Sequence, residues 1–186
     1  MLIKNLRHRV RLAIANLEMA RRHDVLIEKG VTIKYGRSIS FGAHCTVQSG
    51  AYLYGSRSGR KVVFGRNVVV GAGGMVLGEG GLTVGDHTHF GPHVVVTTQY
   101  GDSTADMSAE ETVLKYLAVS IGRGCWIGAG AVIMPGTILG PECVVAPNSV
   151  VYGEWGERAK LAGNPARPAR ILGRPPRHPA APASSG

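Results

Sequence analysis

His87, His89 and His93 lie close together, and imidazoles so spaced are candidates for a metal site or for proton transfer near neutral pH. A little further on, the stretch TTQYGDST adds an amide, a phenol and a carboxylate in Gln99, Tyr100 and Asp102. An ordinary Tyr is too weakly acidic, and an ordinary Asp too weakly basic, to exchange protons near pH 7 without large shifts. Glutamine moves no proton, although it can orient a hydroxyl or donate to an oxygen. Three cysteines, Cys45, Cys125 and Cys143, complete the set of chemically capable side chains.

Which of these groups can meet depends on the elements that carry them. Through residues 119–152 aliphatic residues recur at every sixth position: Ile121, Ile127, Ile133, Leu139, Val145 and Val151. Four places after each of the first five stands a small residue, Cys125, Ala131, Thr137, Cys143 or Ser149. A period of six matches neither a helix at 3.6 nor a free strand at 2, but it matches a short-repeat solenoid in which three hexads make one triangular turn. The aliphatic points inward, the small residue fills the corner beside it, and successive turns stack as parallel ladders. The spacing therefore predicts an all-β solenoid in which Val47, Val70, Phe90, Ile127 and Val145 form one inward ladder. The cysteines fall on the small inward positions and read as buried spacers; their odd number fits a reducing compartment.

Register also sorts the histidines. His44, Asn67, His87 and Gly124 share one place in successive turns, and Gly50, Gly73, His93, Gly130 and Asn148 share another. Gly and Asn mark positive φ, so His44, His87 and His93 read as turn residues. His87 and His93 also stand at opposite ends of a flat face, roughly 15–20 Å apart at about 3.3 Å per residue, too far to share a metal within one chain. No metal is expected. His89 differs, because it points outward just before Phe90, and one turn up the same place is Trp126.

The six-residue clock runs from Ile27 and is interrupted after Ile33, Leu53, Val76 and Val96, in each case after the third hexad of a turn. All insertions must then project from one corner of the prism. That corner carries the basic loop 55–61, the turn 78–82 with Glu79, and a long loop 98–118, of a length that is usually functional. Outward positions beside the third hexad are Tyr52, Tyr54, Met75, Leu77, Val95, Thr97, Val132, Met134, Val150 and Tyr152, a nearly unbroken apolar stripe. Such a patch is rarely left bare, so a homotrimer buried along it is expected.

The segment CWIGAGAVIMPG from Cys125 and the segment AGNPAR from Ala162 resemble the signature of the left-handed β-helix hexapeptide-repeat acyltransferases, over roughly residues 27–172. The resemblance implies a left-handed parallel β-helix, a homotrimer, and transfer from acetyl-CoA or another acyl-CoA to a hydroxyl of a sugar or surface-polysaccharide precursor. It puts the pantetheine arm along Trp126, Gly128, Ala129, Ala146 and Pro147 and the cofactor phosphates near Arg167 and Arg170. Relatives place a catalytic histidine at the base of the long loop, where this chain has Gln99 and Tyr100 and where the loop holds no histidine. Since attack on a thioester needs a base and oxyanion donors, His89 is assigned as substitute base, with Gln99, Tyr100 and Asp102 as the loop's catalytic candidates. Glu79 and Gln99 are assigned to the carbohydrate or nucleotide-sugar acceptor.

The domain plan is an N-terminal amphipathic helix over 1–24, the β-helix over 25–156 with its loop 98–118, a closing segment 157–173 and a Pro-rich disordered tail 174–186. The basic helix caps the first turn or touches an anionic membrane surface. A net charge of +9 invites a nucleic-acid reading, but the basic residues gather at the ends and no aromatic-basic interleaving appears, so no nucleic-acid partner is expected. Neither a leader nor a membrane span is legible, which points to a cytoplasmic protein, at most at the inner face of the membrane. A second class of function stands beside the transferase: a catalytically degenerate hexapeptide protein kept as a binding or scaffold subunit.

Overall fold

Inward aliphatics at every sixth position can all be buried only if the chain coils, and the computed structural model shows that coil over the residues it describes, 24–102 and 113–170. It is a left-handed parallel β-helix. The expected helix at the N-terminus and the tail beyond residue 170 lie outside the described residues.

Three parallel sheets form the walls. The first wall stacks Leu26–Ile27, Thr46–Val47, Val69–Val70, His89–Phe90, Trp126–Ile127, Val144–Val145 and Lys160–Gly163. The second stacks Thr32–Lys34, Tyr52–Tyr54, Met75–Leu77, Val95–Thr97, Val132–Ile133 and Val150–Val151. The third stacks Ile39–Phe41, Val62–Phe64, Leu82–Val84, Val119–Ile121, Ile138–Leu139 and Glu154–Trp155. Val47, Val70, Phe90, Ile127 and Val145 pair in register up the first wall, and all five are buried. Each such side chain stabilises by roughly 1.5–3 kcal/mol, and a slip of one residue would turn the whole ladder outward. That is why the register is so strictly held.

Corners are made by residues at positive φ. His44, Asn67, His87 and His93 lie between +53 and +60°, as the shared register predicts, and the corner between the third and first walls also uses Glu142 at +60° and Arg158 at +59°. At this corner charge runs along the stack: Arg66 holds Asp86 at 2.9 Å, and Glu142 accepts from Arg158 at 2.9 Å and faces Arg123 at 3.4 Å. These pairs hold the acidic groups of the corner in place and leave the net charge of +9 unchanged.

The three thiols occupy the inward corners and donate across the stack, Cys45 to the Gly65 carbonyl at 3.0 Å, Cys125 to Gly140 at 3.3 Å and Cys143 to Gly156 at 3.1 Å. Burial pushes the Cys125 thiol up to about 11. At pH 8 a thiol with that pKa is ionised to only about one part in 10³. The folded protein is expected to leave a disulfide reagent such as DTNB unreacted over minutes and to titrate three thiols once unfolded in guanidinium; one fast native thiol would overturn the assignment.

Two details stand beside the sequence plan. The first wall continues past residue 156 to Lys160–Gly163, because Leu161 pairs with Val145 and keeps the inward ladder going. The segment 98–118 contains a two-stranded antiparallel arm, Gln99–Gly101 against Leu114–Tyr116, since the ends of so long an insertion satisfy their backbone groups by pairing with each other.

Candidate functional site

All insertions leave the same corner, between the second and third walls, as their spacing requires. They bond to one another up the stack: Gly55 N donates to Lys34 O, Gly78 N to Tyr54 O and Thr98 N to Leu77 O. Buried Thr98 locks the base of the arm, donating to Leu77 O and accepting from Gly80 N, both at 2.7 Å. Gln99 pairs with Tyr116, and Tyr100 is exposed opposite Lys115. Asp102 sits 3.0 Å from the Lys115 ammonium, which is raised above its ordinary pKa by that hydrogen bond. Sequence reading did not single out Lys115.

Glu79 is buried at the same corner and faces inward to the basic loop. Its carboxylate accepts from Arg57 N at 2.9 Å, from Ser58 N at 3.2 Å and from the Ser56 hydroxyl at 3.3 Å. Burial works to raise its pKa, but these donors more than offset burial and hold it below the ordinary carboxylate value. Its visible contacts are to the loop, so any effect on an acceptor runs through loop 55–61.

His89 stands on the first wall, half-buried, in register with Trp126. The two rings stack with centroids 5.7 Å apart, and Trp126 is 57% exposed. Nδ1 of His89 lies 3.2 Å from the His87 carbonyl. A carbonyl only accepts, so in the neutral ring Nδ1 bears the hydrogen and Nε2 keeps its lone pair. That is the tautomer a base at Nε2 needs. Among the described residues no three His, Cys, Asp or Glu side chains converge as a metal site would require.

The other candidates continue up the same wall. Ala129 and Pro147 are exposed and Ala146 half-buried at the corner above Trp126. Gly128 is buried, and a Cβ there would lie 2.5 Å from the Pro147 nitrogen, so stacking alone demands glycine. Arg167 and Arg170 are exposed; Arg167 lies on Ala166–Pro168, which folds back antiparallel on Lys160–Gly163. Three strand spacings, about 14 Å, separate that strand from Trp126. Within one chain, then, His89 and the cofactor candidates share the first wall, while Gln99, Tyr100 and Asp102 stand beyond the far edge of the second. The structure adds a cleft of about 440 Å³ beside the loop 55–61, lined by Tyr35, Arg37, Ser38, Ser56, Arg57 and Lys61.

The bacterial transferase hexapeptide (six repeats) family model matches residues 118–153. Among curated proteins no sequence match is found. Among solved structures, AntD, an N-acyltransferase from Bacillus cereus in complex with dTDP and 3-hydroxybutyryl-CoA, is 23% identical with a TM-score of 0.71, covering 79% of each chain. The hexapeptide-repeat acetyltransferase VCA0836 from Vibrio cholerae is 21% identical with a TM-score of 0.56, covering 91% of this chain and 92% of its own. The polySia-specific acetyltransferase NeuO is 22% identical with a TM-score of 0.55, covering 83% of this chain and 70% of its own. At such identities the likeness is one of fold. No described helix is long and apolar enough to cross a membrane.

Proposed function

Starting from a left-handed β-helix of hexapeptide repeats, we propose that the chain is an acyl-CoA-dependent acyltransferase that acylates a sugar hydroxyl, most simply with acetyl-CoA as donor. The observation that carries this reading is the exposed Trp126 stacked on a histidine whose Nδ1 faces a backbone carbonyl. The fold neighbours support the reaction class, since their names describe acyltransferases and two structures of AntD hold coenzyme A or its acyl form, one with a dTDP-sugar and the other with dTDP.

In this reading the thioester lies along the first wall by Trp126, Ala129, Ala146 and Pro147, with the cofactor phosphates toward Arg167 and Arg170. Nε2 of His89 takes the acceptor proton as the hydroxyl attacks the thioester carbonyl; the C–S bond then breaks, and the proton passes from His89 to the departing sulfur, so that coenzyme A leaves as its thiol and the acyl group stays on the acceptor oxygen. Gln99 orients the acceptor, while Tyr100 and Asp102 shape the arm around it. Because arm and first wall are separated within a chain, the active arrangement is composite: the arm of one protomer meets the first wall of its neighbour in a homotrimer. A sugar nucleotide or a surface-polysaccharide precursor is the acceptor class, and a cytoplasmic site of action, with peripheral membrane contact through residues 1–24, supplies both substrates.

Thermal unfolding with and without acetyl-CoA tests the reading. Ligand at a hundredfold excess over its Kd stabilises the native state by about 2.7 kcal/mol, which raises Tm by roughly 5–10 °C in a chain of this size. No shift at millimolar acetyl-CoA, together with no transfer, leaves the scaffold reading as the better one.

A further inference from the structure

The cleft at the insertion corner lies away from the first wall, and its lining calls for a ligand. Its volume of about 440 Å³ is that of a small-molecule pocket rather than of a nest for a single ion. Its cations are Arg37, Arg57 and Lys61. Arg57 is 3.8 Å from Glu79, whereas neither Arg37 nor Lys61 has a carboxylate partner among the described residues.

The floor is built rather than incidental. Ser38 Oγ donates to Tyr35 O at 2.9 Å and accepts from Ser56 N at 2.6 Å, so the first two insertions are tied together beneath the cations. Both serines are buried. Gly55 must be glycine, because a Cβ there would run into Ser38 Oγ and Tyr35 O. Tyr35 holds φ at +53°, a conformation costly for an aromatic residue, and this sets its ring at the mouth, 47% exposed and edge-on to Tyr54.

Above the cleft, Arg60 links it to the arm. Its backbone N–H donates to Ser56 Oγ at 3.1 Å, its side chain donates to Glu79 O at 3.4 Å, and its guanidinium lies 5.7 Å from the centroid of Tyr116, the residue paired with Gln99. From the turn of Tyr52–Tyr54 to that of Val95–Thr97 is two strand spacings, about 10 Å.

We propose that this cleft binds the nucleoside diphosphate part of a ligand, with the diphosphate on Arg37, Arg57 and Lys61 and the ring system against Tyr35. An uncompensated pair of cations selects the phosphates, and an exposed aromatic at the rim selects a flat ring. That the group beyond the diphosphate is the acceptor sugar, directed up the corner toward Gln99, rests on the transferase reading; the diphosphate site itself does not.

The test is calorimetric titration of the full chain with UDP, pyrophosphate, inorganic phosphate and uridine. Expected are binding of UDP and pyrophosphate, weaker binding of inorganic phosphate and none of uridine. The doubly substituted R37A/K61A protein is expected to lose UDP and pyrophosphate affinity at least tenfold; both side chains are exposed, and an unchanged Tm confirms folding. Tyr35→Ala is expected to weaken UDP while sparing pyrophosphate. Acetyl-CoA titrated into R37A/K61A separates the two readings: unchanged acetyl-CoA affinity with lost UDP affinity supports a distinct diphosphate site. Lost acetyl-CoA affinity, or UDP binding untouched by R37A/K61A, or no binding of either diphosphate at millimolar concentration, overturns the proposal. Failure of acetyl-CoA to bind the wild type alongside tight UDP binding would sink the transferase reading alone.

Discussion

His89→Ala is expected to lower the rate of acyl transfer by about 10² to 10⁴, the usual contribution of a positioned base, while acetyl-CoA still raises Tm. The split matters because His89 also stacks on Trp126. A purely structural role would show as lost acetyl-CoA binding, whereas loss of the base leaves binding and removes turnover. His89→Gln keeps bulk against the indole and should share the defect in rate, which separates proton transfer from packing. In the converse direction, Gln99→His restores an imidazole at the base of the arm and is expected to raise the rate. Full activity in His89→Ala would refute the substitute base, and Tyr100 or Asp102 would then have to be tested in its place.

Val132→Asp is expected to turn the proposed homotrimer into monomers and to abolish transfer with it. Val132 belongs to the outward stripe on the second wall, in register with Val95 below and Val150 above. Tyr52 and Met75 continue the line downward, and Met75 is 39% exposed in the single chain. A carboxylate in that stripe is solvated in a lone subunit, so the fold should survive. Buried between protomers it would cost several kcal/mol, enough to split the assembly. Light scattering should move from three times the chain mass to the chain mass, with an unchanged far-ultraviolet circular dichroism spectrum. A second substitution, Met75→Asp, should behave alike. Persistence of the trimer in both variants would place the subunit interface on another wall.

Residues such as Ile127 and Val145 show what the sequence by itself determined. A six-residue period can be satisfied only by coiling, because each aliphatic must be buried and each corner needs a small or positive-φ residue, and both demands are local and repeat. The inward ladder, the turn roles of His44, His87 and His93, the burial of the three cysteines and the adjacency of His89 to Trp126 all follow from counting in sixes. The single corner bearing every insertion follows likewise. Counting stops being informative where the clock stops. No period in 98–118 announces the arm of Gln99–Gly101 and Leu114–Tyr116, the Asp102–Lys115 pair, or the Arg60 guanidinium over Tyr116, since these join residues that no repeat relates. Sequence reading assigns Glu79 to the acceptor, and only the packed corner shows it as the anchor of loop 55–61. Glu142 and Arg158 share the corner place of His44, Asn67 and His87, so the repeat sets their positive φ although their side chains do not favour it. Periodic burial is written into residue types one hexad at a time, whereas the cleft of Tyr35, Arg37 and Lys61 exists only because the stack brings two insertions side by side and their side chains must share the same space.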